Sequence, residues 1–324
     1  MEFLKKYNLV LQEYLDNAVV HNEPTQLYDP IKYILSLGGK RLRPVLTLMV
    51  SDFFGNDFKK AIHAALAVEL FHNFSLIHDD IMDNAPLRRG KKTVHEKWDT
   101  NTAILSGDAM LILAYRFFEN YEPSMFQELA KVFSETALQV CEGQQHDMNF
   151  ETRYDVTLEE YIAMINHKTA VLLGAAMKMG AIVGEASEGD KEKIYQFGRN
   201  LGIAFQLQDD YLDVFGDPET FGKQVGGDII SNKKTILYLL AIDASTQAQA
   251  DELEHLFSIN PNDPTDKIST VKEIFVVSGA AAKTQDEIKN YSNLAYSILD
   301  EIAISDEKKE LFRKFGDNLM QRNV

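Results

Sequence analysis

Residues 74–83 of the 324-residue chain read Phe74-Ser75-Leu76-Ile77-His78-Asp79-Asp80-Ile81-Met82-Asp83. They end a longer stretch, residues 58–83, in which apolar side chains recur every three or four positions and no glycine or proline intervenes. This spacing places the apolar side chains on one face of a helix. The stretch therefore predicts one long helix that ends in a cluster of acidic residues.

The same periodicity runs through most of the chain. It predicts further long helices at about residues 2–20, 102–120, 124–150, 158–183, 189–215 and 233–242. Segments rich in glycine, proline and asparagine separate these stretches, and strand-like alternation between hairpin turns is absent. We therefore predict an all-α fold in which residues 1–324 form a single domain, with a smaller helical portion after about residue 260.

Composition and charge exclude several classes of function. The formal net charge is −16, whereas charge-driven binding of nucleic acid needs a basic excess. Cys141 is the only cysteine, so no intrachain disulfide can form, which fits a reducing compartment. The first residues lack the pattern of a signal peptide, and no apolar run approaches a membrane span. The sequence predicts a cytoplasmic protein without an integral membrane segment or a nucleic-acid partner.

Two matched acidic clusters point to a metal and a phosphorylated ligand. Asp79 and Asp83 lie four residues apart, and so do Asp209 and Asp213, so each pair shares a helix face. Like charges at this spacing destabilise a helix by roughly 0.2–0.5 kcal/mol, and a helix C-terminus also disfavours anions. A bound cation would offset these costs, and Mg²⁺ typically bridges one or two carboxylates to substrate phosphates. The alternative, a solvated acidic helix end, would have to occur twice in matching contexts.

Basic runs gather around the acidic clusters of this acidic chain. They are Gly38-Gly39-Lys40-Arg41-Leu42-Arg43-Pro44 and Arg88-Arg89-Gly90-Lys91-Lys92. Guanidinium and ammonium groups recognise phosphate oxygens. His72 lies seven residues before Asp79, two helical turns away on the same face. We predict that these groups bind an anionic substrate; the alternative is that each run is a solvated loop and that His72 is structural.

Together these motifs resemble those of the trans-isoprenyl diphosphate synthases, the family of the farnesyl and geranylgeranyl diphosphate synthases. The resemblance covers about residues 38–234. Besides the two acidic motifs and Arg88-Arg89-Gly90, the matching segments are Gly143-Gln144-Gln145-His146-Asp147, Lys168-Thr169, Phe205-Gln206-Leu207-Gln208, Gly222-Lys223, Gly227-Asp228-Ile229 and Asn232-Lys233-Lys234. The resemblance implies a bundle of long helices around a deep central cavity, a homodimer, and a magnesium-dependent prenyltransferase.

The resemblance also implies the reaction and the role of each site residue. Isopentenyl diphosphate would condense head to tail with dimethylallyl, geranyl or farnesyl diphosphate to give a short-chain all-trans prenyl diphosphate. Three Mg²⁺ ions would be held against the allylic diphosphate by Asp79, Asp83 and Asp209. The basic contacts to that diphosphate would be Arg88, Lys168, Lys223 and Lys233. Isopentenyl diphosphate would contact Lys40, Arg43, His72 and Arg89. The developing carbocation would face Thr169, Gln206 and the carbonyl of Lys168.

Side chains just before the first acidic motif set product length in this family. Phe74 lies five residues before Asp79, and family precedent makes a large aromatic there a stop for long chains. Ser75 is small and leaves room, whereas helix geometry places Phe71 one turn deeper as a further stop. The alternative is that both phenylalanines only pack the core. We favour a C20 product, geranylgeranyl diphosphate, with C15 farnesyl diphosphate as the alternative.

Four other classes of protein share part of this pattern. A terpene cyclase would carry Asn/Asp, Ser/Thr and Glu at its second metal site, and no such run lies near Asp209. A head-to-head synthase would lack the basic run before the first acidic motif, and a non-catalytic partner subunit typically lacks one acidic motif. A structural metal-binding protein would gain no stability from a bisphosphonate, whereas a synthase would.

Overall fold

The computed structural model describes residues 2–18, 23–55, 57–217 and 225–320. The helices, numbered in chain order, are α1 Lys5–Ala18, α2 Thr25–Ser36, α3 Leu42–Phe54, α4 Ile62–Met82, α5 Val94–Lys97, α6 Thr100–Phe118, α7 Pro123–Thr152, α8 Leu158–Ile165, α9 Val171–Val183, α10 Glu188–Phe215, α11 Gly227–Ile230, α12 Ile236–Ala244, α13 Gln247–Leu256, α14 Thr265–Val277, α15 Ala280–Asp300 and α16 Asp306–Met320. Turns of 3₁₀-helix at Glu2–Leu4 and Phe58–Ala61 precede α1 and α4, and a π-helical turn at Asn166–Ala170 joins α8 to α9. The all-α prediction is confirmed.

One small hairpin interrupts the helices. Strand β1, Leu87–Arg88, pairs antiparallel with β2, Lys91–Lys92. The two turn residues, Arg89 and Gly90, both have positive φ, at 54° and 73°, as a two-residue hairpin turn requires. Each strand has only two residues, so no alternating pattern could indicate it from the sequence. The hairpin matters because it carries two of the arginines predicted to contact substrate.

The described residues group into two compact units. The first comprises Met1–Glu135 and Ala175–Glu192, and the second comprises Thr136–Gly174 and Lys193–Val324. The sequence-based interpretation of a single domain stays a prediction. No helix in the described ranges combines the length and the hydropathy that crossing a bilayer requires.

Helix α4 is the centre of the first unit. It contacts α1, α3, α5 and α6, so it is apolar on most of its sides rather than along one stripe. Ala64, Ala65 and Ala67 are fully buried in these contacts. This burial fixes the axis of α4 and therefore the place at which its acidic C-terminal end emerges.

Helix α12 holds the core of the second unit, where it contacts α8, α13, α14 and α15. Its Ile236 and Leu237 are fully buried together with Leu207 of α10. A capping box starts α8: the Thr157 hydroxyl accepts from the Glu160 N–H at 3.1 Å, and a Glu160 carboxylate oxygen accepts from the Thr157 N–H at 2.9 Å. The cap fixes the start of the helix that leads into the π-helical turn.

Candidate active site

In the first unit, the acidic end of α4 presents two carboxylates one turn apart. Asp79 is partly exposed in the last turn, and Asp83 is the exposed residue that caps the helix. The Asp83 N–H donates to the Asp79 carbonyl at 2.9 Å, which keeps the two residues in helical register. The predicted metal ligands of this motif therefore lie on one face, where a cation can reach both carboxylates.

Asp80, between them, points the other way and was not predicted as a site residue. It is buried, and its carboxylate accepts from Arg88 Nε at 2.8 Å and from Arg88 Nη2 at 2.7 Å. A two-point contact of this kind fixes the plane of a guanidinium as well as its position. Asp80 thus orients Arg88, which lies on the hairpin β1–β2 and is one of the predicted diphosphate contacts.

This contact predicts that removal of the Asp80 carboxylate lowers the stability of the protein. Asp80→Ala leaves the Arg88 guanidinium, whose side chain is 26% exposed, without its partner. We expect a loss of about 2 kcal/mol in the free energy of unfolding, less than for a fully buried pair. Urea unfolding without metal, followed by circular dichroism, measures it. Equal stability of Asp80→Ala and the parent protein would contradict the assigned contact.

The basic run at residues 38–44 leads into a helix: residues 38–41 precede α3, and residues 42–44 lie in its first turn. Arg43 is in the first turn of α3, and its Nη1 lies 3.4 Å from Nε2 of His72 on α4. Burial, together with the charges of Arg43 and Arg89, lowers the pKa of His72 well below its usual value. The imidazole is therefore neutral, and Nε2 is the acceptor because arginine can only donate. Lys40 precedes the helix and is exposed.

Arg89 is held by the glycines that precede α3. Its Nη1 donates to the carbonyl of Gly38. A Cβ on Gly39 would lie 2.7 Å from the guanidinium carbon of Arg89, and Gly39 also has φ +123°. Position 39 therefore favours glycine for its backbone conformation, and the Arg89 guanidinium occupies the space that a side chain there would take. The two basic runs meet here, through residues that lie 51 positions apart in sequence.

A buried carboxylate that sequence reasoning missed accompanies this basic cluster. Glu69 of α4 is 3% exposed, and one of its oxygens accepts from Asn73 Nδ2 at 3.0 Å. Burial raises the pKa of Glu69, while the charges of Arg41, Arg43 and Arg89 oppose that shift. Nothing in the sequence distinguishes Glu69 from the other acidic residues, because only its depth in the fold gives it this setting.

An aromatic cluster lies behind the acidic end of α4. Phe74 is 9% exposed, and its ring centroid lies 5.5 Å from that of Phe71 and 4.7 Å from that of His78. Phe71 is almost fully buried and packs edge-on against Phe133 of α7 at 5.2 Å. Ser75 is half-buried and donates to the His72 carbonyl at 2.9 Å. Of the two predicted stops, Phe74 is thus the more accessible and Phe71 the more deeply packed.

In the second unit, the end of α10 carries the second acidic motif. Asp209 is partly exposed there. Asp213, one turn later, accepts from the Asp228 N–H at 2.9 Å, and its own carbonyl accepts from the Gly226 N–H at 2.6 Å. It therefore fixes the start of α11.

Asp210 is the buried neighbour in this motif, as Asp80 is in the first. It accepts from the hydroxyl of Tyr161 and from Nε2 of Gln206 at 3.1 Å. Burial and the nearby charge of Asp228 raise the pKa of Asp210 to about 8. Because Nε2 of Gln206 is held in this way, its Oε1 is left to accept from the Thr169 hydroxyl at 3.3 Å. The predicted pair Thr169 and Gln206 is thus in contact.

Two predicted lysines share one carboxylate. Lys168 Nζ lies 2.5 Å from Oδ2 of Asp147, and Lys233 Nζ lies 3.8 Å from the same atom. Burial opposes ionisation of Asp147, but the two lysines outweigh it and lower its pKa below the usual value. Asp147 was noted only as part of a motif, because its role depends on tertiary partners. The predicted contact Lys223 lies outside the described residues.

The carboxylates of each acidic motif, taken by itself, suit magnesium that binds together with phosphate. Among the residues that the structure describes, no three His, Cys, Asp or Glu side chains form a closed metal centre. Mg²⁺ seldom uses such a centre, since it keeps several waters and takes one or two carboxylates plus substrate phosphate oxygens. Asp79 and Asp83 in one unit and Asp209 in the other are hard oxygen donors of this kind.

Comparisons with known proteins agree with this chemistry. A family model described as polyprenyl synthetase matches residues 24–275. The chain is 37% identical to the short chain isoprenyl diphosphate synthase of Methanothermobacter thermautotrophicus, over 96% of this chain and 95% of that protein. It is 38% identical to the geranylgeranyl diphosphate synthase of Saccharolobus solfataricus, over 87% and 86% of the two chains. A crystal structure of a geranylgeranyl pyrophosphate synthase matches with a TM-score of 0.95 and 53% identity over 99% of both chains. The chain therefore belongs to the polyprenyl synthetase family.

Proposed function

We propose that this prenyltransferase condenses isopentenyl diphosphate with an allylic diphosphate to give geranylgeranyl diphosphate. The observation that carries the proposal is the presence of two separate basic clusters beside carboxylates. One is the Arg43–His72–Arg89 cluster of the first unit, and the other is the Lys168–Asp147–Lys233 cluster of the second. A reaction between two diphosphates needs two such sites, whereas cyclisation of one diphosphate needs only one.

The allylic diphosphate is the ligand of the acidic motifs in this proposal. Asp79, Asp83 and Asp209 would hold three Mg²⁺ ions, which neutralise the leaving diphosphate. Arg88 and Lys168 add positive charge on the protein side, and Lys233 does so beside Lys168. Asp80 holds Arg88, and Asp147 holds the two lysines. These contacts keep the basic side chains in place before substrate arrives.

Isopentenyl diphosphate would bind the basic cluster of the first unit. Arg43 and Arg89 offer planar forks to its phosphate oxygens, and exposed Lys40 adds a point charge. In the protein without ligand His72 is neutral, so it offers the diphosphate one N–H donor rather than a charge. The ligand is fixed at its diphosphate, which leaves its alkene to be positioned by packing.

The proposed reaction begins when the diphosphate group leaves the allylic substrate. The allylic C1–O bond breaks, the alkene of isopentenyl diphosphate bonds to C1, and the departing diphosphate takes the proton that is then lost. The Thr169 hydroxyl and Gln206 Oε1 lie 3.3 Å apart and supply oxygen atoms that stabilise the allylic cation. Exclusion of water by apolar side chains prevents capture of that cation.

A homodimer in the cytoplasm completes the proposal. The cytoplasmic location rests on the single cysteine, which fits a reducing compartment. For the dimer, α6 exposes a row of large apolar side chains, with Ile104 40%, Leu105 59% and Ile112 60% accessible. Such a face is typical of a surface that a second copy covers. Light scattering at micromolar concentration should give twice the mass of the chain, and a monomer mass would contradict the dimer.

Diphosphate release tests the proposed reaction. The purified protein is incubated with Mg²⁺ and farnesyl diphosphate, with and without isopentenyl diphosphate, and released diphosphate is counted against isopentenyl diphosphate consumed. We expect a ratio of one to one and almost no release without isopentenyl diphosphate or after chelation of the metal. Release from farnesyl diphosphate alone would favour a cyclase instead, and consumption of two allylic diphosphates per release would favour a head-to-head synthase.

A further inference from the structure

Two glycines of the second unit touch the backbone of the π-helical turn Asn166–Ala170. A Cβ on Gly143 of α7 would lie 2.3 Å from the Lys168 nitrogen and 2.8 Å from its Cα. A Cβ on Gly202 of α10 would lie 2.8 Å from the Cα of Ala170. Distances this short do not occur between real Cβ atoms and backbone. Glycine therefore permits α7 and α10 to approach the turn as closely as they do.

The residue one helical turn beyond each glycine holds a side chain of the same turn. Asp147 follows Gly143 by four positions and contacts Lys168 Nζ at 2.5 Å. Gln206 follows Gly202 by four positions and accepts from the Thr169 hydroxyl at 3.3 Å. Residues four apart share a helix face. Each of the two helices thus supplies a point of backbone contact and a polar group on one face.

The contact is made at the part of the helix that departs from α geometry. π-Helical turns are rare and cluster at functional sites. Here the turn contains both Lys168 and Thr169, which project toward different partners. A shift of its backbone away from α7 would move the Lys168 ammonium and the Thr169 hydroxyl together.

We propose that Gly143 and Gly202 are positioning residues, which set the distance of Lys168 and Thr169 from the allylic diphosphate by contacting the π-helical turn. The proposal rests on the proposed function, which assigns those two side chains to the allylic substrate. A misplacement of about 1 Å at a reacting centre can lower a rate about 100-fold. Neither glycine has a side chain that could bind substrate, so in this proposal each acts through the turn.

The test compares Gly143→Ala with the parent protein in steady-state assays that vary each substrate in turn. We expect kcat to fall about 100-fold while the KM for isopentenyl diphosphate stays within threefold, because Arg43 and His72 are held by contacts within the first unit. The matched control is Gly316→Ala in α16, where a Cβ would lie 2.5 Å from the hydroxyl of Tyr296. The overlap there is with the end of the Tyr296 side chain rather than with backbone, so this variant controls for an added buried methyl group and should leave kcat unchanged.

Two further variants cover a Gly143→Ala protein that does not fold and test the proposed role of Lys168. Gly202→Ala is expected to lower kcat about 10-fold and serves if Gly143→Ala does not fold. Lys168→Ala tests the proposed function itself: parent-like kcat in that variant would remove Lys168 from the reaction. A low kcat in Lys168→Ala beside a parent-like kcat in folded Gly143→Ala would overturn the positioning role alone. Failure of both glycine variants to fold would also overturn it, since the glycines would then serve stability only.

Discussion

Asp79→Ala is expected to lower turnover about 1,000-fold, at the upper end of what removal of one transition-state contact costs. The carboxylate lies in the last turn of α4, partly exposed and one turn from Asp83. In the proposed site its loss would remove a ligand for the cation that neutralises the departing diphosphate, so we expect the effect to fall on kcat. Turnover is measured as isopentenyl diphosphate incorporated into extractable product at saturating Mg²⁺.

Stability separates this effect from a loss of folding. Aspartate is a poor helix former and Asp79 faces a like charge at Asp83, so its removal should leave the unfolding midpoint unchanged or slightly higher. Asp243→Ala, at an exposed position of α12, is the matched control and should leave both rate and midpoint unchanged. A turnover within threefold of the parent protein in Asp79→Ala would refute the assignment of Asp79 as a metal ligand.

Phe74→Ala is expected to change the main product from C20 to C25 or longer. Its ring is the more accessible of the two aromatic side chains behind the acidic end of α4. If Phe74 is the stop, removing its ring would open room for a longer chain, while Phe71 and Phe133 remain packed against each other at 5.2 Å. The products are dephosphorylated and sized by chromatography.

Variants at Phe71 show which ring is the first stop. Phe71→Ala alone should keep the C20 product but lower the free energy of unfolding by about 3 kcal/mol, since it leaves a cavity in the aromatic packing. The double variant should lengthen the product beyond that of Phe74→Ala. An unchanged product length in folded Phe74→Ala would assign the stop to another side chain.

Periodicity was sufficient to predict the long helices because their apolar spacing reports burial directly. The stretch at residues 58–83 appears as the turn Phe58–Ala61 followed by α4. The stretch at 158–183 is helical throughout, but no pattern indicated the π-helical turn within it. A π-turn depends on what packs against it, here Gly143 and Gly202, and that information lies far away in sequence. Helices α2 and α3 were not predicted, since α2 contains Pro30 and α3 begins within a basic run.

The acidic motifs could be recognised from the sequence, but the sequence did not show which aspartates are exposed and which are buried. Asp79 and Asp209 are partly exposed, whereas Asp80 and Asp210 are buried and hold Arg88 and Gln206. Adjacent residues of identical type thus have different settings because helix rotation points one toward solvent and the next toward the core. The roles of the exposed carboxylates stay predictions that the variants above address.

The most direct measurement is the chain length made from each primer. The protein is incubated with Mg²⁺, labelled isopentenyl diphosphate and, in separate tubes, dimethylallyl, geranyl or farnesyl diphosphate, and the dephosphorylated products are separated by chromatography. We predict incorporation in every tube and one main C20 product. A main C15 product would contradict Phe74 as a stop for chains of C20, and no incorporation by folded protein with any primer would contradict the condensation itself.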